Sequence, residues 1–383
     1  MMKVGFVTVI REPWGGSEEL WAAAANLLLQ NKHSVIISAF NTEKVDPKMK
    51  QLIDRGAKLL YRRGYVKPGI PVKQRIRKKA GILLLNKLSN PYKKFFQQKP
   101  DVIIYNGVCD SMKDDPHFMV MVEKFRVPFI LILHAYTEYI RTFDYHEANI
   151  LLKAFRMSKQ NLFVSERNRL VMERFLAEPI PNARIIRNPV NLTSIELLPY
   201  PKEQVKNFAM VGNLLINHKG QDLALEVLSQ PKWASRNWHL NIYGSGVDSN
   251  YLNKLCGYYN LQQRITFHGK VHDIKGVWKQ NHILLMPSRL EGIPLAVVEA
   301  MLCGRPVIAT DVAGHMEWIR NGIDGFIAQA ANTHSIDETL EAAWQKRHDW
   351  EEMGRNAYER ACMLYDPNPA QSLEEIIAAV GAT

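Results

Sequence analysis

Seven residues separate Glu291 from Glu299 in the segment Glu-Gly-Ile-Pro-Leu-Ala-Val-Val-Glu-Ala, 291–300. A carboxylate accepts hydrogen bonds in pairs, so each glutamate can hold two neighbouring hydroxyls of a polyol. The apolar run ending at Met286 predicts a strand, 287–293 reads as a loop, and a short helix follows with Pro294 in its first turn and Gly304 just past its end. Glu291 then lies in the loop ahead of the helix. Glu299 lies inside the helix, beside a Leu295, Val298 and Leu302 stripe suited to packing on a sheet. The amides of Gly292, Ile293 and Leu295 fall at the helix N-terminus, where unpaired donors and the dipole favour phosphate. Two polyol-binding carboxylates thus flank an anion site.

The elements that would position them alternate along the chain. Residues 3–10 predict a buried strand, Trp14-Gly15-Gly16-Ser17 a turn, and residues 18–30 an Ala-rich helix. The opening recurs at 207–212, followed by a loop ending in Lys219-Gly220 and a helix over 221–228. Further strands are expected at 34–40, 101–106, 128–134 and 161–165, then at 239–243, 264–268, 282–286, 307–310 and 325–327. Parallel strands need crossovers, which the intervening helices supply, so the fold class is α/β with two doubly wound parallel-sheet domains. The proline-containing segment 188–206 reads as a linker. The expected domains are 1–190 and 191–364, with a C-terminal helix at about 365–383 packing back on the first. Ligands of doubly wound sheets bind beyond the carboxyl ends of the strands, where both glycine turns fall.

The 291–300 segment resembles the E-x7-E motif of retaining GT-B glycosyltransferases of the glycosyltransferase family 4 type. The resemblance continues through Gly304-Arg-Pro-Val-Ile-Ala-Thr, Gly314 with Glu317, and Asn321-Gly-Ile-Asp-Gly-Phe. Gly15-Gly16, Pro100-Asp101, His134, Asn188-Pro-Val-Asn191, Lys219-Gly220, Gly244-Ser-Gly246 and Phe267-His-Gly269 fall in the family's order. The resemblance implies that Glu299 holds the ribose hydroxyls of a nucleotide, and that Glu291 holds the donor sugar near the reacting carbon. It places Lys219 against the diphosphate, Gly15 and Gly16 where backbone approaches donor and acceptor, and His134 near the donor sugar. Val271 falls where backbone atoms read the base. One departure stands out: the family has an arginine after the first glycine of the phosphate loop, where this chain has Gly212-Asn213. Arg289 or another cation is the candidate replacement. The implied activity is transfer of a hexosyl unit from a nucleoside diphosphate sugar to an acceptor hydroxyl with retention, in glycolipid, polysaccharide or cell-envelope glycan synthesis. No DxD motif adjoins a strand, so no essential metal and no cofactor are expected.

Composition narrows the setting. At 383 residues, 46% hydrophobic and 23% charged, the chain exceeds one ordinary core and is too apolar for global disorder. Four scattered cysteines without zinc spacing make neither a disulfide framework nor a metal site. The short apolar run after Met1 is a strand rather than a secretion signal, and no run reaches spanning length, so a cytoplasmic location is expected. Net charge is +11, yet from Arg55 to Lys99 there are fourteen Lys or Arg and no Asp or Glu, so the excess is local. Val72, Ile76, Ala80, Leu83 and Leu84 recur at near-helical spacing among these cations, which predicts an amphipathic helix docked on an anionic membrane surface at the inner face. A sugar or lipid-linked acceptor is the expected second partner. Two other readings fit parts of the sequence: a nucleic-acid-binding protein working through 55–100, and a GT-B sugar-nucleotide epimerase. Nucleic acid is not the expected partner, and a dinucleotide dehydrogenase fits poorly because no GxGxxG follows the first strand.

Overall fold

The computed structural model describes residues 1–383 except 12–13, 42–44, 65, 67–69, 137–142, 293 and 383. The chain divides into two compact units: Met1–Pro189 with Asp366–Thr383, and Val190–Tyr365. The first holds a seven-stranded sheet in the order β3-β2-β1-β4-β5-β6-β7. Its strands are β1 (Lys3–Thr8), β2 (Ser34–Phe40), β3 (Lys58–Arg62), β4 (Val102–Gly107), β5 (Phe129–Leu133), β6 (Gln160–Phe163) and β7 (Ala183–Ile185). The second holds six strands in the order β10-β9-β8-β11-β12-β13. These are β8 (Lys206–Val211), β9 (Trp238–Tyr243), β10 (Ile265–Gly269), β11 (Ile283–Met286), β12 (Val307–Thr310) and β13 (Gly325–Ala328). Every registered pair is parallel. Each sheet reverses its strand order once, between β1 and β4 and between β8 and β11, which creates a crevice at each switch point.

Central strands are apolar on both faces because helices cover both. In β4, Ile103 and Tyr105 join one core layer, while Val102 and Ile104 face the other. In β11 the split is Ile283 and Leu285 against Leu284 and Met286. The Pro369–Gly381 helix puts Leu373, Ile377 and Val380 into the layer that also holds Leu20, Trp21 and Ala24 of the Glu19–Gln30 helix. The last helix therefore belongs to the first unit.

Two strands were not anticipated. β3 reads Lys-Leu-Leu-Tyr-Arg, an edge strand inside the basic stretch, and β7 is three residues long. The basic stretch is correspondingly not one surface. Arg62 is buried, and Tyr92, Phe95 and Phe96 sit in the core. What remains outside is the Val72–Leu88 helix, which has no buried residue at all. The expected apolar face does not form on it. At 3.6 residues per turn Lys87 projects between Ile76 and Ala80, and Lys73 and Arg77 flank Leu84. Charge and apolarity separate along the axis instead: five cations lie within 73–79, whereas Ile82, Leu83, Leu84, Leu85 and Leu88 crowd the second half. Tyr65 and Lys67, which also belong to the stretch, lie outside the described residues.

Candidate active site

In the second unit, the chain leaving β8 turns through Gly212 into a one-turn helix, Ile216–Lys219. Gly220 then adopts a left-handed conformation at φ +63, and a Cβ there would lie 2.0 Å from the Pro287 carbonyl. Only glycine permits that approach, which sets the Lys219 turn directly on the loop leaving β11. Two amides of that loop, Arg289 and Leu290, donate to the His218 carbonyl at 2.7 and 3.1 Å and zip the two segments together. The lysine stem lies over Gly212.

The consequence is an ion pair between a half-buried lysine and a buried carboxylate. Lys219 Nζ donates to Glu291 Oε1 at 2.6 Å, and the Ser288 hydroxyl donates to the same oxygen at 2.8 Å. Burial would raise the Glu291 carboxyl, but the charges of Lys219 and His315 and the two hydrogen bonds outweigh it and hold the pKa below the ordinary value. Thr310 Oγ1 donates to the Ser288 carbonyl at 2.6 Å and fixes the loop from behind. Glu291 Oε2 accepts no hydrogen bond among the described residues.

Glu299 lies on the Leu295–Leu302 helix, buried at every residue except Leu295. The helix is packed this way because Leu-Ala-Val-Val-Glu-Ala-Met-Leu offers a single polar side chain. Burial raises the Glu299 pKa to about 7, although the Asn191 amide and its Nδ2 both donate to Oε1 at 2.9 and 3.0 Å. Oε2 again takes no partner among the described residues. Pro294 is the residue ahead of the helix rather than inside its first turn. Gly292 is half-buried beside Glu291, and Ile293 lies outside the described residues.

Arg289 is engaged within the unit. Its guanidinium makes a bidentate pair with Asp222 at 2.7 and 2.9 Å, and it also donates to the Ile216 carbonyl at 2.7 Å. It clamps the one-turn helix that carries Lys219. Asn213 is exposed, and its carbonyl accepts from Gln221 Nε2 at 2.9 Å. Val271 follows β10 and packs at the margin of the core layer containing the Leu295–Leu302 helix.

Residues 200–360 match the glycosyl transferases group 1 family. The group 1 segment covers nearly all of the second unit and contains Lys219, Glu291 and Glu299. Over 141 residues the chain is 28% identical to an uncharacterized glycosyltransferase of Haemophilus influenzae, spanning 37% of this chain but only 40% of that relative. Over 264 residues it is 26% identical to the lipopolysaccharide 1,6-galactosyltransferase of Escherichia coli K12, spanning 65% of this chain and 67% of that relative. Anabaena HepE, solved in complex with UDP and glucose, resembles the chain with a TM-score of 0.75 at 17% identity, over 99% of this chain and 100% of that one. With its two parallel-sheet units, the chain has the GT-B fold expected from the sequence.

The first unit holds the remaining candidates. Gly15 has an extended backbone at φ −152, and a Cβ there would meet Ile10 at 2.8 Å. Gly16 opens a one-turn 3-10 helix, Gly16–Glu18. His134 follows β5 and is buried, with burial lowering its pKa to about 4, so it is neutral near pH 7. It ends a chain that spacing could not reveal, because its members are spread from residue 18 to residue 134. Glu18 accepts from Trp21 Nε1 at 2.9 Å and from Asn106 Nδ2 at 2.9 Å, and Asn106 Oδ1 faces His134 Nε2 at 2.7 Å. With Asn106 oriented by Glu18, the ring proton of His134 belongs on Nε2. Burial raises Glu18 to about 7. Only its place right after Gly15-Gly16-Ser17 hinted at a role.

Proposed function

We propose that this protein transfers a hexosyl unit from a nucleoside diphosphate sugar to an acceptor hydroxyl, with retention at the anomeric carbon. The observation that carries the reading is the Lys219–Glu291 pair in the loop leaving β11, followed by the helix that holds Glu299, with one oxygen of each carboxylate unengaged among the described residues. Glu299 Oε2 is suited to a ribose hydroxyl, and Glu291 Oε2 to a hydroxyl of the donor sugar. Lys219 is held by Glu291 until a diphosphate competes for it. It would then stabilise the negative charge that grows on the β-phosphate as the glycosidic bond breaks. The departing phosphate takes the acceptor proton while the sugar passes through an oxocarbenium-like state. His134, Gly15 and Gly16 are assigned to the donor sugar and acceptor. UDP in the HepE complex and the galactosyltransferase among the relatives favour a UDP-sugar donor.

The reaction needs no resident metal, because Lys219 and main-chain donors take the cation's part. EDTA should leave the rate unchanged. A thermal-shift screen of UDP, GDP and ADP sugars tests the donor: a ligand of the folded state at 100 times its dissociation constant stabilises by ~2.7 kcal/mol. Glu299→Gln should weaken the nucleotide alone as well as its sugar, whereas Glu291→Gln should abolish turnover and leave the free nucleotide bound. Nucleotide binding indifferent to both substitutions would sink the assignment. Release of an isomerised nucleotide sugar without acceptor would point to the epimerase.

We place the enzyme at the inner face of a membrane, in synthesis of an envelope glycan or glycolipid. The exposed Val72–Leu88 helix supports this, since its leucines have no counterpart in phosphate-backbone recognition. Among the described residues no helix is long and apolar enough to cross a bilayer, so attachment would be peripheral.

A further inference from the structure

Among the buried titratable groups of the second unit, His315 has no part in the chemistry assigned to Lys219 and Glu291. It opens the short His315–Trp318 helix after β12 and is 0% exposed. Its Nδ1 lies 2.6 Å from the Thr310 carbonyl. A carbonyl only accepts, so Nδ1 carries the hydrogen and the neutral ring presents Nε2 as a bare acceptor. That atom is solvent-inaccessible and has no partner among the described residues. The Nδ1 bond accounts for the ring's place in the turn, but Nε2 is left as an uncompensated cost.

The residue that holds the ring also holds the Glu291 loop. Thr310 accepts from His315 through its carbonyl and donates through its hydroxyl to the Ser288 carbonyl, while the Ser288 hydroxyl donates to Glu291. Ring and carboxylate are fixed near one another: after Lys219, His315 is the group whose charge does most to lower the Glu291 pKa. The charged groups acting on the ring are Glu291, Lys219 and Asp311. Arg360, from the helix packed against this turn, donates instead to the Glu317 carbonyl. Burial lowers the ring's pKa from the ordinary histidine value, Glu291 works against that, and Lys219 adds to it.

Moving the lysine ammonium off Glu291 therefore leaves a nearby base able to replace its charge. We infer that His315 is a positioning residue: as a diphosphate draws Lys219 away, Nε2 takes a proton from solvent, and the imidazolium becomes the counter-charge that keeps Glu291 ionised. An ionised Glu291 can accept sugar hydroxyls at either oxygen, whereas a protonated one spends an oxygen as a donor. The inference rests on the transferase reading only in naming the diphosphate.

Lys219→Met imitates the departure of the lysine without any ligand, and NMR of isotope-labelled histidine in the full chain reads the result. The His315 ring nitrogens, identified by their loss in His315→Gln, should move to the imidazolium position and titrate about one pH unit higher than in the wild type, a tenfold gain in proton affinity. Above that transition the carboxylate keeps Ser288 alone. Adding Glu291→Gln to Lys219→Met should return the ring to its neutral form, which keeps the test decisive where His315→Gln does not fold. Identical histidine titrations in the wild type and Lys219→Met overturn the inference. Calorimetry in buffers of different ionisation heat follows the same proton with UDP-glucose, whose diphosphate bridge does not titrate near neutrality. Binding should take up as much as about one proton and weaken by up to about tenfold per unit as pH rises, and His315→Gln should bind without uptake. Binding without uptake in the wild type, or uptake that persists in His315→Gln and so belongs to His134 or His218, overturns the inference. Failure of UDP-, GDP- and ADP-glucose alike to bind rejects the transferase reading, and the Lys219→Met titration still decides the role of His315.

Discussion

Lys219 and Glu291 illustrate how a buried carboxylate depends on the cation that pairs with it. Replacing Lys219 with methionine leaves a buried carboxylate with Ser288 alone, at a cost of about 2 kcal/mol. Adding Glu291→Gln should restore much of that loss, and a double-mutant cycle in urea checks the coupling; additive losses would mean that the pair does not interact. Glu18 makes a different prediction. It holds its proton up to about 7 in the folded chain, against 4.5 for a free glutamate. Between these values the folded state binds more protons than the unfolded one, so the Glu18 contribution to stability falls as pH rises through the window and then levels off. The effect is on the order of 3 kcal/mol. His134, whose pKa is lowered by burial, works in the opposite sense, so the profile to compare is wild type against Glu18→Gln. A difference between the two that stays flat from pH 4.5 to 7 would show that Glu18 does not titrate there. The Glu291–Glu299 spacing was readable from one local segment, whereas the Glu18–Asn106–His134 chain was not. Its members come from three separate elements that meet only when β1, β4 and β5 pair.

Among the elements, the Val72–Leu88 helix departs most from ordinary packing. None of its side chains is buried, and Leu83 and Leu88 are 64% and 76% exposed. Changing Leu83, Leu84 and Leu88 together to serine should therefore leave unfolding free energy within about 0.5 kcal/mol per site, unlike substitutions in a core. The same variant should lose co-sedimentation with anionic vesicles while neutral vesicles bind neither form. Equal binding of variant and wild type to anionic vesicles would remove lipid from consideration. Near-helical spacing of apolar residues marks this helix but not its faces, because cations fall between those residues on the wheel. β3 escaped for a related reason. Its alternation of exposed and half-buried residues is weak at a sheet edge, and its one buried side chain is an arginine. The strands at the centre of each sheet were legible because both faces are covered and the sequence there is apolar without interruption. The pairing of Arg289 with Asp222, 67 residues away, is not legible in the sequence.

At the scale of the whole molecule, each of the four core clusters lies wholly within one unit. Two cores without shared side chains predict two calorimetric transitions. A nucleotide bound through Glu299 should raise only the transition belonging to residues 190–365. A single cooperative transition shifted as a whole would contradict this.

The second unit interrupts the first, because Pro369–Gly381 completes a layer begun by Val4, Phe6 and Leu20. During translation the opening sheet must therefore wait, with the surface meant for Leu373, Ile377 and Val380 unshielded, until the inserted unit has emerged. Ribosome-bound chains halted after Tyr365 should accordingly be cut readily by protease within residues 1–189 while residues 190–365 resist, and release of the last helix should close that interval of vulnerability.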